Sequence, residues 1–176
     1  MILAGTGHRP ADLTTQGKGI YRGSDLLMRL DERLIDLCVA ALRRYTPEKV
    51  ISGMALGLDM ALSDAAVREN IPLVAAIPFE GQEVRWSDDQ QARFRRLREA
   101  AAEVVIVCEG GFSAASMQRR NEWMVDNSSL VLALWSGKPG GTGNCVRYPE
   151  SVGSRIVNLY PSFARHSGLS VPAQVS

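Results

Sequence analysis

The stretch "SLVLALWSGKPGGTGN", residues 129–144, decides the fold class, because it joins a short apolar run to a loop with four glycines. The apolar run is too short for a helix and is typical of a buried β-strand. A helical pattern over residues 143–152 follows the loop. Backbone N–H groups at a glycine-rich helix start can approach phosphate oxygens closely. The stretch therefore predicts a strand, an anion-binding loop and a helix; glycines that only form tight turns are the alternative interpretation.

The rest of the chain repeats this alternation of strand and helix on the N-terminal and C-terminal sides of the stretch. Further strands are predicted at residues 1–4, 49–52, 72–77, 103–108 and 155–160, and further helices at 24–45, 57–69, 89–102 and 115–126. Such alternation favours an α/β, Rossmann-like, doubly wound fold, with a mainly parallel sheet of about six strands and helices on both faces. We expect one domain over residues 1–160 and a loosely attached tail over 161–176.

Composition excludes several classes of protein. The 176 residues hold 20 Lys and Arg against 19 Asp and Glu, so no global positive field attracts nucleic acid. Three dispersed cysteines and two histidines fit neither a disulfide framework nor a zinc site, and no metal is expected. No apolar run is long enough to cross a membrane, so we expect no membrane association and a cytoplasmic location.

Ligands of doubly wound folds bind where the loops after the strands converge. Those loops read "GTGHRP", "SGMALGLD", "PFEGQEVRW", "EGGFSAASMQRR" and "SGKPGGTGN". Glycines recur in them, which predicts a nucleotide phosphate as ligand. Neither G-x-G-x-x-G nor G-x-x-x-x-G-K-[ST] is present, so the dinucleotide-dehydrogenase and P-loop interpretations are weak.

Three motifs carry a resemblance to a known family: "SGMALGLDMALSDAA" (52–66), "RRNEWMVDNSSLVLALW" (119–135) and "GKPGGTGNCVRY" (137–148). Together they resemble the SLOG superfamily, most closely its YpsA-like branch. That superfamily also contains the DNA-processing protein DprA and the lonely-guy phosphoribohydrolases. The resemblance implies a Rossmann-like fold that binds a nucleotide or a nucleotide-derived ligand over the glycine loops.

The hydrolase branch of that superfamily matches only in part. Met117, Arg120, Met124, Pro139, Gly140, Gly141 and Gly143 match its motifs, while Asn121 replaces a lysine and Asn144 a threonine. Arg147 stands where the hydrolases place their catalytic glutamate, and an arginine cannot stabilise an oxocarbenium-like state. The sequence thus favours binding or sensing. The alternative is N-glycosidic hydrolysis of nucleoside monophosphates, with a carboxylate relocated to Glu80, Glu83 or Glu122.

Site residues are predicted in the loops and on the helix before the fifth strand. The expected ligand-binding residues are Gly5, Thr6, Gly7, His8, Arg9, Ser52, Gly53, Gly57, Asp59, Arg120, Asn121, Gly140, Gly141, Thr142 and Gly143. The catalytic candidates, should there be turnover, are Glu80, Glu122 and Arg120. Asp59 either bonds a ribose hydroxyl or caps a helix, and Trp86 either stacks on a base or packs in the core. No cofactor beyond the nucleotide ligand is expected.

Two expectations concern macromolecular partners. The arginine-rich segments 92–100 and 117–120 keep single-stranded DNA binding open, although acidic neighbours favour a solvated helix face. Met117, Trp123 and Met124 recur along one helix that also carries Arg120. The resemblance to the superfamily implies pairing of subunits near this site, so we expect an isologous homodimer or a higher homo-oligomer. Packing of these side chains within one subunit is the alternative.

Overall fold

The computed structural model describes residues 1–7, 24–137, 146, 148 and 153–167. Six strands are present in this part of the chain: β1 (Ile2–Gly7), β2 (Lys49–Ser52), β3 (Leu73–Ile77), β4 (Glu103–Ile106), β5 (Leu130–Leu134) and β6 (Arg155–Asn158). The helices are α1 (Ser24–Tyr45), α2 (Leu58–Arg68), α3 (Asp88–Ala100), α4 (Ala114–Asp126) and α5 (Tyr160–Ser167).

All six strands form one parallel sheet in the order β4-β3-β2-β1-β5-β6. From β1 the chain builds outward to β4 and then returns to the other side of β1 with β5 and β6. The carboxyl ends of all strands therefore meet at one edge of the sheet, and the winding changes direction between β1 and β5. The predicted fold class is confirmed.

Helices cover both faces of this sheet. Leu3, Val50 and Leu73 belong to a core cluster with buried residues of α1, α2 and α5. Their neighbours Ala4, Ile51 and Val74 point to the opposite face, where they cluster with Met124 of α4. The near-continuous apolar strands are explained by this double burial, which also fixes the loops at the strand ends.

Two glycines of β1 allow α2 to approach the sheet closely. A β-carbon at Gly5 would overlap the side chain of Leu62, and one at Gly7 would lie 2.6 Å from Leu58 Cβ and 2.9 Å from Leu134 Cβ. In this structure Gly5 and Gly7 thus serve helix packing, and the ligand contacts predicted for them stay a prediction.

The end of the described chain corrects one expectation. Residues 160–167 form a helix, and Tyr160, Phe163 and Ala164 are buried in the cluster that holds α1 and α2. The loosely attached tail predicted from residue 161 is therefore wrong for residues 161–165, because their apolar side chains complete the main core. Residues 168–176 lie outside the described part.

Candidate functional site

The loop between β2 and α2 is fixed by polar contacts. Ser52 Oγ donates to the backbone oxygen of Asp59 at 2.8 Å and accepts from Met54 N at 3.1 Å. Ser63 Oγ donates to the same Asp59 oxygen at 2.8 Å. Met54 lies in the left-handed region with φ 56° and Gly57 has φ 104°, so the loop turns sharply before α2 begins. These bonds hold a strained turn at the carboxyl end of β2.

Arg120 reaches this turn from α4. Its Nη1 donates to the backbone oxygen of Gly53 and lies 3.3 Å from Asp59 Oδ2. Asp59 Oδ2 also accepts from Ala55 N at 3.4 Å. Arg120 and Asp59 are only 4% and 6% exposed, and Arg120 Nε has no hydrogen-bond partner. Gly53, Asp59 and Arg120, three of the predicted site residues, thus form one buried cluster, which we call the Arg120 cluster.

In this cluster Asp59 acts neither as a helix cap nor at the surface. The N-cap of α2 is Gly57, which makes no side-chain cap bond, and the Asp59 carboxylate is directed to Ala55 and Arg120 instead. The Arg120 guanidinium is likewise bonded to the protein itself. A charge buried in this way is stabilised by its partner, and removing either partner leaves the other uncompensated.

A cavity of about 660 Å³ lies next to the cluster, at the carboxyl ends of β2, β3 and β4. Its lining residues come from the three following loops and from α4: Ala55, Leu56, Phe79, Gly81, Gln82, Val84, Arg85, Trp86, Phe112 and Met117. Ala55 belongs to both the cavity wall and the loop that the Arg120 cluster holds. Gln82 Nε2 donates to Met54 O at 3.4 Å and joins two of the loops. We call this space the aromatic cavity.

Three of the side chains that line the cavity are aromatic: Phe79, Trp86 and Phe112. Phe79 meets Phe112 edge-to-face, with ring centroids 6.1 Å apart. Trp86 meets the buried Phe94 in the same way, at 5.7 Å. Trp86 therefore lines the cavity and also packs against the core beneath α3. Of the two roles weighed for Trp86 from the sequence, packing is observed, and stacking on a base stays a prediction.

The carboxylates considered for catalysis occupy different surroundings. Glu80 is exposed and accepts from Arg98 at 2.7 Å, a hydrogen bond that raises the pKa of the Arg98 guanidinium. Glu122 Oε1 accepts from Gln118 on the same helix at 2.8 Å. Glu83 Oε2 is buried without a hydrogen-bond partner, and its chain neighbours Gln82 and Val84 line the aromatic cavity.

The arginines of α3 are mostly in ion pairs. Arg93 bonds Asp64 through Nε at 2.7 Å and Asp31 through Nη1 at 2.7 Å. Arg96 bonds the other oxygen of Asp64 at 2.6 Å. With Arg98 held by Glu80, three of the four arginines on this helix have acidic partners. The arginine-rich segment therefore presents little unbalanced positive charge.

Several predicted site residues lie elsewhere or outside the described part. Thr6 is buried within β1, and Asn121 is half-buried on α4 beside Arg120. His8, Arg9, Gly140, Gly141, Thr142 and Gly143 lie outside the described residues.

Sequence reasoning did not single out Phe79, Gln82 and Phe112. Their signal is their place in the loops after the third and fourth strands, which converge with the β2–α2 loop. In the sequence, the one signal for Phe112 is that a phenylalanine stands between "EGG" and a predicted helix start, where polar residues are usual.

Two kinds of feature are not found among the described residues. Within residues 1–7, 24–137 and 153–167, no three His, Cys, Asp or Glu side chains come together as metal ligands. None of the helices described is long and apolar enough to span a membrane.

Solved structures share this fold at low sequence identity. The DNA processing protein A of Helicobacter pylori, whose structure concerns single-stranded DNA binding, aligns with a TM-score of 0.59, 16% identity and 89% of this chain. DNA processing protein A of Streptococcus pneumoniae aligns with a TM-score of 0.59 and 12% identity over 94% of this chain. This chain spans only 63% and 54% of those two proteins. TM1055 aligns with a TM-score of 0.54 and 15% identity over 88% of this chain and 71% of its own.

Two relatives found by sequence have higher identity to this chain than these solved structures. The SPbeta prophage-derived protein YoqJ of Bacillus subtilis (strain 168) is 30% identical over 155 residues, covering 78% of this chain and 91% of YoqJ. The UPF0398 protein OB1025 of Oceanobacillus iheyensis is 24% identical over 168 residues, 92% of this chain and 86% of its own. The model of the YspA SLOG family matches residues 3–146, which include all but the first residue of β1, the strands β2 to β5, the Arg120 cluster and the aromatic cavity. The chain belongs to the YspA SLOG family.

Proposed function

We propose that the protein binds a nucleotide or a nucleotide-derived small molecule at the carboxyl edge of its sheet. The observation that carries this proposal is the aromatic cavity, which opens where the loops of a parallel sheet converge. Its volume lies within the roughly 300–1,000 Å³ that is usual for small-molecule sites. The glycine loop after β5 follows a strand of the same sheet and supplies the expected phosphate site.

Within this proposal Arg120 holds the β2–α2 loop in shape. Its guanidinium is bonded to Gly53 and Asp59, so a direct phosphate contact would require it to leave a buried acidic partner. A role in positioning the loop therefore explains Arg120 without breaking its bonds to Gly53 and Asp59, whereas a phosphate contact would break them. Binding should weaken when the cluster is removed, although Arg120 need not touch the ligand.

Calorimetric titration with AMP, NAD, ADP-ribose and cyclic nucleotides tests the proposal. We expect saturable binding of at least one of these nucleotides, and weaker binding by a variant with Arg120→Ala and Asp59→Ala combined, which removes both buried charges together. Arg95→Ala, at an exposed position on α3, is the matched control and should bind like the wild type. No binding at millimolar nucleotide would overturn the proposal.

The hydrolase alternative is carried by one observation, the buried and unpartnered Glu83 Oε2 beside the cavity. A buried carboxylate oxygen without a protein partner, next to a cavity, is a candidate for acid–base work on a bound ligand. We expect binding without turnover, because Arg147 stands where the related hydrolases place their catalytic glutamate. Chromatographic detection of free base from nucleoside monophosphates decides the point, and turnover lost in Glu83→Gln would identify the relocated acid.

A further inference from the structure

The two most exposed large apolar side chains among the described residues belong to the same cavity. Phe112 is 75% exposed and Val84 is 68% exposed, and both line the aromatic cavity. Single exposed apolar side chains are ordinary, but two at the mouth of one concave site indicate a surface that a ligand covers. Phe112 meets Phe79 at an interplanar angle of 78°, and because the side chain is 75% exposed, most of its ring surface stays open to a planar group.

The polar groups of the cavity suit the edge of a heteroaromatic ring. Gln82 uses one N–H on Met54 O, which leaves its second N–H and its carbonyl oxygen for a ligand. Arg85 is exposed at the same lining. Planar walls with one amide and one cation match a nucleobase better than an aliphatic chain, since an aliphatic chain would leave both polar groups without a bond.

Two glycines lie directly before Phe112, and the start of α4 lies directly after it. Gly110 has φ 89°, and Gly111 has open space around its α-carbon. Immediately after Phe112, Ser113 and Ser116 form a capping box, with Ser116 N donating to Ser113 Oγ at 2.9 Å and Ser113 N to Ser116 Oγ at 3.1 Å. Phe112 therefore lies between two glycines, whose backbone has the fewest steric restrictions, and a helix start that is held by hydrogen bonds.

We propose that the aromatic cavity is the subsite for the base of the nucleotide, and that Phe112 closes over the base by stacking. This inference rests on the proposed function and adds which end of the ligand enters the cavity. The base then lies at the carboxyl ends of β2 to β4. The small-molecule occupant is favoured over a nucleic-acid strand because the nearby arginines of α3 are in ion pairs with Asp31, Asp64 and Glu80.

Fluorescence and calorimetric titration with adenosine, AMP and ribose 5-phosphate test this subsite. Adenosine and AMP should change the emission of Trp86, which lines the cavity, and Trp86→Phe should remove that change. Phe112→Ala should weaken adenosine and AMP binding by about tenfold and leave ribose 5-phosphate unaffected, while Phe112→Trp should restore affinity. Tyr45→Ala, which removes a ring at the end of α1, is the control.

The outcomes separate the two proposals. AMP binding that is equal in the wild type, Phe112→Ala and Gln82→Ala would overturn the base subsite and leave nucleotide binding intact. Failure of every nucleotide to bind the wild type would overturn both. Polyadenylate that binds in proportion to its length, where AMP does not bind, would overturn the subsite in favour of a nucleic-acid strand. Thermal melting of each variant confirms that the fold is retained.

Discussion

At the residue scale, the Arg120 cluster joins the loop after β2 to a single arginine of α4. Ser52, Gly53, Asp59 and Arg120 were predicted in one site from their motifs and loop positions, and the structure brings them together. Their roles depend on contacts between residues far apart in the chain. Arg120 bonds a backbone oxygen 67 positions away, and a backbone acceptor leaves no mark in the sequence.

Gly53 gives a direct test of the Arg120 cluster. A β-carbon at this position would overlap Arg120 Nη1 and lie 2.6 Å from Asp59 Oδ2. Gly53→Ala should therefore displace the guanidinium and lower the free energy of unfolding by about 1–3 kcal/mol. Urea denaturation measures this loss.

Gly111→Ala is the matched control for that variant, because nothing lies within 4 Å of its added β-carbon. Its stability should stay within about 1 kcal/mol of the wild type. The loss in Gly53→Ala combined with Arg120→Ala should be smaller than the sum of the two single losses. Additive losses would show that Gly53 and Arg120 are not in contact.

At the element scale, the elements with strong periodicity were predicted well. The bounds of α1 agree with the predicted 24–45, and the predicted strands differ from the observed ones by at most a few residues. The apolar signal along these segments is strong because strands such as β3 and β5 are buried on both faces and α1 is buried along one face. The eight residues of α5 were missed, since they include Pro161 and their burial depends on a distant core.

Phe163 shows how much α5 contributes to the fold. Its side chain is 2% exposed and belongs to the main core cluster. Phe163→Ala should lower the free energy of unfolding by about 3–5 kcal/mol, because a buried aromatic ring is lost and a cavity remains. Arg165→Ala, on the exposed side of α5, should have little effect in the same urea titration. Equal stability of the two variants would contradict the packing described for α5.

Asp64 links three helices. It lies on α2 and accepts bonds from Arg93 and Arg96 of α3, and Arg93 in turn bonds Asp31 of α1. Asp64→Ala should lower the free energy of unfolding by about 2 kcal/mol. A larger loss is not expected, because both arginines remain partly in water. Glu99→Ala, at an exposed position of α3, is the control and should change the free energy of unfolding little in urea denaturation. Equal losses in Asp64→Ala and Glu99→Ala would contradict the role of Asp64 in linking the helices.

At the scale of the whole molecule, the homo-oligomer stays a prediction, but the expected contact surface changes. Met124 is buried against the sheet and Met117 lines the aromatic cavity, so of the predicted patch Trp123 alone stays a candidate surface contact. Arg120 and Met124, one turn apart, are both buried on α4. The edge strand β4 instead presents Val104 and Ile106, each 40% exposed.

Light scattering at micromolar concentration measures the association. We expect a mass of about twice the 19.2 kDa of one chain. Ile106→Lys should lower that mass if β4 forms the contact, whereas Trp123→Glu should do so if α4 forms it. A mass near 19.2 kDa for the wild type would contradict the dimer.

The central position of β1 has a consequence for how the protein is made. Leu3 pairs with Val50 on one side and with Leu130 on the other, so the second partner leaves the ribosome long after the first. At about 5–20 residues per second, synthesis from β2 to β5 takes on the order of 10 s. During that interval one side of β1 has no neighbour, and pairing over such a separation is slow because loop closure costs entropy before contacts form. The nascent chain is therefore most prone to misassembly before residues 130–134 emerge.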